Sequence, residues 1–403
     1  MNIKLNYLNI RSMVLLLSVI ITSTLPAQQT SRPAQPRPAF RMPRPLVSPE
    51  ILPDNRVTFR LLAKDVEKVS IYGDWIPGFN ASENMVKNDT GLFTITVGPL
   101  KPELYSYTFS FDGVRVLDPN NPLTKRDGTR NESMFIVRGP ESDLYLVKDV
   151  PHGTLLKVWY NSPSLNLTRR MYIYTPPGYE NGKTKYPVFY LLHGGGGDED
   201  AWTTLGRTCQ IMDNLISLSR AKPMIVVMPN GNPGQAAAFT DAPVRDTPVQ
   251  VSFADMGRGL FEESLVKDII PYIEKHYRIL SNKNNRAVAG LSMGGMQTLT
   301  LSGKYPDKFG YIGVMSMGLV DRSSMGLPAD QDQDARFEAL KKSGYQLYWV
   351  GIGVDDFLYS AAQNLKAALD KHGLKYSWRE SSGGHTWANW RIYLSEFAPL
   401  LFK

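Results

Sequence analysis

A serine between glycines is the first candidate for chemistry in this chain. The segment Gly290-Leu291-Ser292-Met293-Gly294 follows a predicted strand at 286–289 and opens a helical pattern. A tight turn from strand to helix needs small residues beside the serine, and it exposes the hydroxyl above the sheet. The first N–H groups of the helix favour negative charge at that position. The pattern predicts a nucleophilic serine, with an incidental serine in a glycine-rich turn as the alternative.

A serine hydroxyl becomes a good nucleophile only beside a base that an acid holds in place. In enzymes with this motif, the acid and then the histidine follow the serine along the chain. Two of the five histidines do so, His372 and His385. His372 ends a helical pattern, where a capping role is expected, whereas His385 lies in a glycine-rich loop. His385 is therefore the predicted base.

The acid is expected where a strand between Ser292 and His385 ends. The apolar segment 347–353 is followed closely by Asp355 and Asp356. Only one of two neighbouring side chains can face the histidine. We favour Asp356 and keep Asp355 as the alternative.

The glycine run Gly194–Gly197 is the candidate site for binding the negative charge that develops on the substrate carbonyl oxygen. It follows the apolar segment 187–192 and lets the backbone approach a substrate closely. We predict that the N–H groups of Gly195 and Met293 form an oxyanion hole. His193 is expected to be a structural hydrogen-bonding residue. A phosphate-binding loop is disfavoured because the Lys and Ser/Thr of that motif are missing.

Three tryptophans, Trp202, Trp387 and Trp390, flank these loops. Such rings either face a sugar or phenolic ring or pack in the core, and we predict substrate contacts for Trp202 and Trp387. The sequence has no His/Cys/Asp/Glu cluster with zinc-like spacing and no EF-hand loop. The predicted chemistry therefore uses no metal and no cofactor.

The elements that would position these residues begin at about His152. Short apolar runs alternate there with helical patterns, which is typical of a parallel sheet covered on both faces. The runs lie at 187–192, 224–228, 287–289 and 347–350, and the helical patterns include 261–277 and 360–372. The predicted fold class of this part is α/β.

The preceding segment has a different periodicity. Apolar residues alternate with polar ones at 57–61 and at 105–111, and the second run leads into Asp112-Gly113. Alternation ending in an Asp-Gly turn is a strong hairpin signal. Several such strands predict a small β-sandwich.

The first 45 residues carry nearly all of the excess positive charge. The chain has 45 Lys and Arg against 38 Asp and Glu, a formal net charge of +7. Six of the basic residues and none of the acidic ones lie there, so the remainder has 39 against 38. This balance disfavours nucleic acid as a partner. Residues 1–27 are typical of a signal peptide, and the Pro- and Arg-rich residues 28–47 of a linker.

Four segments together resemble the secreted bacterial esterases of carbohydrate esterase family one, which includes feruloyl and acetylxylan esterases. They are Tyr186–Gly194, Ala289–Gly295, Asp356–Tyr359 and Gly384–Trp387. The resemblance spans most of residues 150–403 and implies an α/β-hydrolase fold. It places the nucleophile on Ser292, the base on His385 and the acid on Asp356, in agreement with the choice made from the residues.

The earlier part resembles the early-set, immunoglobulin-like, carbohydrate-binding modules of family 48. The matching segments are Val57–Leu61, Gly73–Trp75 and Asp112–Val114 with Asp118-Pro119. Trp75 is either a sugar contact or a core residue, and we favour the structural role. The expected organisation is a signal peptide (1–27), a linker (28–47), a β-sandwich (48–147) and a hydrolase domain (148–403).

These resemblances imply a secreted or periplasmic serine esterase that removes feruloyl or acetyl groups from xylan-type polysaccharide or its oligosaccharides. No membrane span is expected in the mature chain. Three alternatives remain: an enterobactin-type trilactone esterase, a non-catalytic carbohydrate-binding protein and a mycolyltransferase-like acyl transferase. The export signal disfavours the first, and the complete Ser, Asp and His set disfavours the second. The acyl group and the oligomeric state stay open.

Overall fold

The computed structural model describes residues 46–78, 80–242, 259–320 and 332–403. The predicted signal peptide and nearly all of the predicted linker therefore lie outside the described residues. Contacts group Leu46–Lys403 into one unit.

Ten short strands come first in the described part of the chain. They are β1 (Glu50–Ile51), β2 (Val57–Leu62), β3 (Ser70–Gly73), β4 (Glu83–Asn84), β5 (Val86–Lys87), β6 (Leu92–Val97), β7 (Leu104–Phe111), β8 (Val114–Val116), β9 (Thr124–Asp127) and β10 (Arg130–Ile136). One antiparallel sheet has the order β1-β2-β6-β5, and a second has β4-β3-β7-β10-β9 with β8 paired to β7. Inward-facing side chains from both sheets, such as Phe59, Phe93 and Phe109, form one core. The early-set, carbohydrate-binding assignment of these sheets stays a prediction.

The predicted hairpin at Asp112-Gly113 is confirmed. Strands β7 and β8 pair with Phe111 opposite Val114. Both turn residues have positive φ, 51° for Asp112 and 78° for Gly113. Such a turn matches the right-handed twist of the strands that it joins, so the sequence specifies the register here.

The later strands form a mixed sheet with eight strands in the described residues. They are β11 (Thr154–Ser162), β12 (Leu167–Thr175), β13 (Val188–Leu192), β14 (Ile225–Pro229), β15 (Arg286–Leu291), β16 (Tyr311–Met315), β17 (Leu347–Gly353) and β18 (Ser377–Ser381). Their order is β11-β12-β14-β13-β15-β16-β17-β18. Strands β11, β12 and β14 are paired antiparallel, and the pairs from β14 to β18 are parallel. The predicted α/β class is confirmed.

Helices cover both faces of this sheet. They are α1 (Ala201–Thr204), α2 (Thr208–Ser217), α3 (Leu260–Ser264), α4 (Ile270–His276), α5 (Met293–Lys304), α6 (Gln333–Ser343), α7 (Tyr359–Lys371) and α8 (Trp387–Phe397). A π-helical segment, Leu265–Ile269, joins α3 to α4, and one-turn 3₁₀ helices lie at Asp143–Tyr145, Pro163–Leu165, Lys283–Asn285 and Ala398–Leu400.

Strand β13 shows how the apolar runs specify the two layers. Every residue of the strand is buried. Val188, Tyr190 and Leu192 contribute to the core that also contains residues of α5, α6 and α7. Phe189 and Leu191 contribute to the opposite core, with residues of α2 and α8. A strand covered on both faces needs apolar side chains at every position, which is why these runs are continuous.

Candidate active site

The glycines around Ser292 are required by the geometry of the turn between β15 and α5. A Cβ on Gly290 would lie 2.4 Å from the carbonyl carbon of Gly294, and one on Gly294 would lie 2.5 Å from the Leu192 carbonyl oxygen. Neither backbone could accept a larger residue without moving. Ser292 itself has φ 52° and ψ −116°, a strained conformation that favours glycine and is found mainly at functional sites.

Backbone hydrogen bonds hold Ser292 in this conformation. Its N–H donates to the Met315 carbonyl on β16 at 2.9 Å, and its carbonyl accepts the Met296 N–H at 3.0 Å. Met293 is the first residue of α5, where backbone N–H groups lack an acceptor within the helix. The turn thus combines a serine held by backbone hydrogen bonds with first-turn N–H groups that have no acceptor within the helix.

The structure brings His385 and Asp356 together. Nδ1 of His385 lies 3.0 Å from both carboxylate oxygens of Asp356. The Asp356 side chain is 0% exposed and that of His385 is 17% exposed. Asp355 is exposed, and its N–H donates to the Gly383 carbonyl. Of the two candidate acids, Asp356 is therefore the one within hydrogen-bond distance of the imidazole.

The carboxyl of Asp356 is held in its charged form. Burial raises its pKa, but hydrogen bonds from the His385 imidazole and from backbone more than offset this, so that the pKa lies below its ordinary range. The Leu358 N–H supplies the backbone bond, at 2.9 Å. An ionised carboxylate on Nδ1 fixes the tautomer in which Nε2 can accept a proton.

His193 fixes the conformation of the glycine loop. Its Nε2 accepts the Gly231 N–H at 2.8 Å, so Nδ1 carries the proton and donates it to the Gly194 carbonyl at 2.8 Å. Burial lowers the pKa of His193, which keeps the ring neutral. Because a trans peptide directs its C=O and N–H oppositely, holding the Gly194 carbonyl also orients the Gly195 N–H. A structural role for His193 agrees with this geometry.

Ser292 and His385 line one cavity of about 190 Å³. Its wall includes Gly195, where a Cβ would meet no described atom within 4 Å, and also the rings of Trp387 and Trp390. A cavity that combines polar groups with large aromatic side chains is suited to a small organic ligand.

Trp202 occupies a different place from the one expected. Its side chain is 1% exposed, and its indole N–H donates to the Leu192 carbonyl at 2.9 Å. The ring packs edge-on against Trp387 with centroids 5.2 Å apart. Burial leaves Trp202 no surface for a substrate in this conformation, so it supports Trp387 instead of contacting a ligand directly.

Two residues at the site were not predicted from the sequence. Asp127, at the end of β9, lines the cavity although it belongs to the first group of strands. Phe357 is 76% exposed, and its ring lies 4.4 Å from that of His385. Asp127 could be found only from the tertiary contact, whereas Phe357 directly follows the acid and could have been considered as a ligand contact.

Buried ion pairs attach the β9–β10 hairpin to the loop that follows the glycines. The Arg126 guanidinium donates to both oxygens of Asp198 at 2.7 Å and to Asp200 at 3.2 Å. Gly128 approaches so closely that a Cβ there would lie 2.6 Å from the Gly196 carbonyl oxygen. The hairpin thereby positions Asp127 at the cavity.

Comparison with known proteins identifies the family. A family model described as "Putative esterase" matches residues 162–400, more than half of the chain. The chain belongs to this esterase family. The chain is also similar to an endo-1,4-beta-xylanase/feruloyl esterase from Xylanibacter ruminicola, with 30% identity over 375 residues that cover 88% of the chain. These make up 46% of the relative, so the chain spans about half its length.

Solved structures support the α/β-hydrolase fold of this esterase. A CE1 ferulic acid esterase from Anaeromyces mucronatus matches with a TM-score of 0.55 and 26% identity, over 66% of this chain and 98% of that one. The enterobactin esterase of Shigella flexneri matches with a TM-score of 0.60 and 18% identity, over 85% of this chain and 92% of that one. At that identity, the second match shows the fold alone.

Two absences apply to the described residues only. Within them, no helix is both long and apolar enough to cross a bilayer. The same ranges contain no group of three or more His, Cys, Asp or Glu side chains arranged to hold a metal ion.

Proposed function

We propose that this esterase is a serine carboxylic-ester hydrolase that releases feruloyl groups from xylan-type plant polysaccharide. The proposal rests on the common cavity of Ser292 and His385, with Asp356 on the far side of the imidazole. The similarity to a xylanase/feruloyl esterase and to a ferulic acid esterase supports the substrate class.

The proposed reaction begins when Ser292 Oγ attacks the ester carbonyl carbon and His385 Nε2 takes its proton. The N–H groups of Gly195 and Met293 then bind the oxyanion of the tetrahedral intermediate. His385 returns the proton to the departing sugar hydroxyl, which leaves a feruloyl-serine ester. Water, deprotonated by His385, attacks this ester and releases ferulate. Asp356 stabilises the imidazolium in both steps.

The aromatic wall favours feruloyl over acetyl as the acyl group. Trp387 and Trp390 pack edge-to-face with centroids 5.1 Å apart, and both line the cavity. Such rings bind a flat phenolic group through stacking and edge contacts. A two-carbon acetyl group would reach little of this surface.

Chromatography of the products from xylanase-pretreated arabinoxylan tests the substrate. We expect free ferulate, and acetate at a much lower rate. Replacing Ser292 by Ala should lower kcat by about 10⁶. Acetate as the main product would reject feruloyl as the preferred acyl group and assign acetyl instead. An S292A variant with unimpaired activity would reject the serine mechanism.

An enterobactin-type trilactone esterase is the second candidate, because the fold match to the Shigella flexneri enzyme covers 85% of this chain. Incubation with enterobactin distinguishes the two proposals. Hydrolysis of the trilactone, together with no ferulate from arabinoxylan, would favour this candidate.

We further propose export through the signal peptide at 1–27, and a structural role for the β-sandwich at 48–147. Trp75 supports the second proposal, since its ring stacks on Phe59 in the core at 5.2 Å and lies against Gly73. Cell fractionation tests export. Affinity electrophoresis in xylan gels with the full chain and its Trp75→Phe variant tests the role of this ring, and equal retention is expected.

A further inference from the structure

Asp127 brings a carboxylate from the first group of strands into the cavity that Ser292 and His385 line. It is the last residue of β9, and it pairs with Arg130, the first residue of β10, across a two-residue turn. Neighbouring side chains on a strand point in opposite directions. The buried ion pairs that fix the preceding residue, Arg126, therefore also fix the direction of Asp127.

Two close contacts hold the turn that follows Asp127. The Arg126 guanidinium donates to the Gly128 carbonyl at 2.6 Å. A Cβ on Gly128 would lie 2.6 Å from the Gly196 carbonyl oxygen, so the turn lies directly against the glycine loop. Asp127 is thus held beside the part of the cavity wall to which Gly195 belongs.

The carboxylate of Asp127 keeps its hydrogen-bonding capacity for a ligand. Within the described ranges it accepts no hydrogen bond, and the exposed Arg130 lies 3.8 Å away. An ionised carboxylate accepts hydrogen bonds at both oxygens and donates none, so it suits a ligand with hydroxyl donors. Its charge opposes the negative charge of an oxyanion in the same cavity, so the attack on the ester does not explain its position.

The exposure of the lining residues separates the mouth of the cavity from its interior. The Asp127 side chain is 37% exposed, whereas Trp390 is 6% exposed. The carboxylate therefore lies where the cavity meets solvent. A cavity of about 190 Å³ accommodates an acyl group but not a polysaccharide chain. The sugar that carries the ester must stay at the mouth, beside Asp127.

We propose that Asp127 binds hydroxyl groups of the sugar that carries the ester, and so distinguishes sugar esters from other esters of the same acid. Neighbouring hydroxyls on a sugar ring match the two oxygens of a carboxylate, whereas a feruloyl group offers one phenolic hydroxyl. Hydrogen bonds to a charged acceptor are stronger than those between neutral groups. This inference rests on the proposed function of Ser292 and His385.

Two esters of ferulate test the contact, because they share the acyl group and differ in the alcohol. One is the feruloyl ester of arabinose, and the other is methyl ferulate. In the full chain, Asp127→Ala should lower kcat/KM about tenfold for the sugar ester, chiefly through a higher KM, and less than about twofold for methyl ferulate. Asp127→Asn keeps one acceptor oxygen and should give an intermediate loss for the sugar ester.

Asp112→Asn is the matched control. This aspartate is exposed in the β7–β8 turn with φ 51°, a conformation that asparagine also accepts. The substitution should leave kcat/KM for both esters unchanged. Titration of S292A with a feruloylated arabinoxylo-oligosaccharide measures the contact without turnover, and the S292A/D127A double variant should bind it about tenfold more weakly.

Equal losses for the two esters in D127A would indicate a structural role or a contact with the acyl group, and would overturn the proposal. An unchanged kcat/KM for the sugar ester, or equal affinities of S292A and S292A/D127A, would overturn it as well. The proposed function fails separately, if the wild-type protein releases no ferulate from either ester. The titration then still decides whether Asp127 contacts the sugar.

Discussion

Replacing Arg126 by Ala is expected to detach the β9–β10 hairpin from the loop after the glycines. The guanidinium makes two hydrogen bonds of 2.7 Å to Asp198 and one of 2.6 Å to the Gly128 carbonyl. The two charged side chains are 10% and 3% exposed. The hydrogen bonds to Asp198 raise the pKa of Arg126, so the arginine is charged at every working pH.

The loss of unfolding free energy in R126A depends on the charge that stays buried after the substitution. Asp198 would stay buried with its main counter-charge gone, and breaking such a buried pair costs about 3–5 kcal/mol. Arg130 on the same hairpin is the matched control, since its side chain is 74% exposed and lies 3.8 Å from Asp127. Removing an exposed arginine of this kind should cost roughly 0.5 kcal/mol or less.

Urea unfolding of R126A, D198A, the double variant and R130A measures these costs. The double variant should lose less stability than the two single variants together, because no unpaired buried charge remains in it. Hydrogen exchange should rise in the loop at 194–200 in R126A. Equal stability of R126A and R130A, or strict additivity in the cycle, would show that the buried Arg126–Asp198 pair does not hold the hairpin.

Three further predictions concern the candidate site and the surrounding fold. Trp387→Ala should lower kcat/KM for feruloyl esters roughly tenfold relative to acetyl esters, because the aromatic contact with the feruloyl ring is lost. A competition assay with aryl feruloyl and acetyl esters measures this ratio. Gly294→Ala should lower kcat at least about 10²-fold in a steady-state assay, since its Cβ would lie 2.5 Å from the Leu192 carbonyl oxygen and displace the turn. Hydrogen bonds to Glu338 and to a second carboxylate of α6 raise the pKa of His372. The stability that this imidazolium gives to the fold is therefore complete below the ordinary histidine pKa of about 6.5 and is lost as pH rises through the pKa of the folded state. H372Q should therefore flatten the dependence of the unfolding free energy between pH 6 and 8.

Much of the later fold could be predicted because buried parallel strands are continuous apolar runs. Such runs predicted β13, β14, β15 and β17, and helical periodicity predicted α7 to within a residue. The hairpin of β11 and β12 was missed, since β11 mixes exposed and buried residues and β12 buries two arginines, Arg169 and Arg170, within its apolar run. Strand β16 was missed as well, although all five of its residues are buried.

The candidate site was predictable where a local motif defines it. The turn at Ser292 and the loop at His385 have characteristic glycine spacing. Asp356 could be separated from Asp355 only by the direction of its side chain. Asp127 depends on contacts across a long stretch of chain, which no local pattern encodes.

Trapping the acyl-enzyme identifies the nucleophile of the proposed serine mechanism. The full chain is mixed with excess feruloyl ester, quenched in acid within the first turnovers and digested for mass spectrometry. The proposed mechanism predicts one feruloyl group on the peptide that contains Ser292, and none in S292A. Efficient ferulate release without any modification of Ser292, or a feruloyl group on another residue, would contradict it.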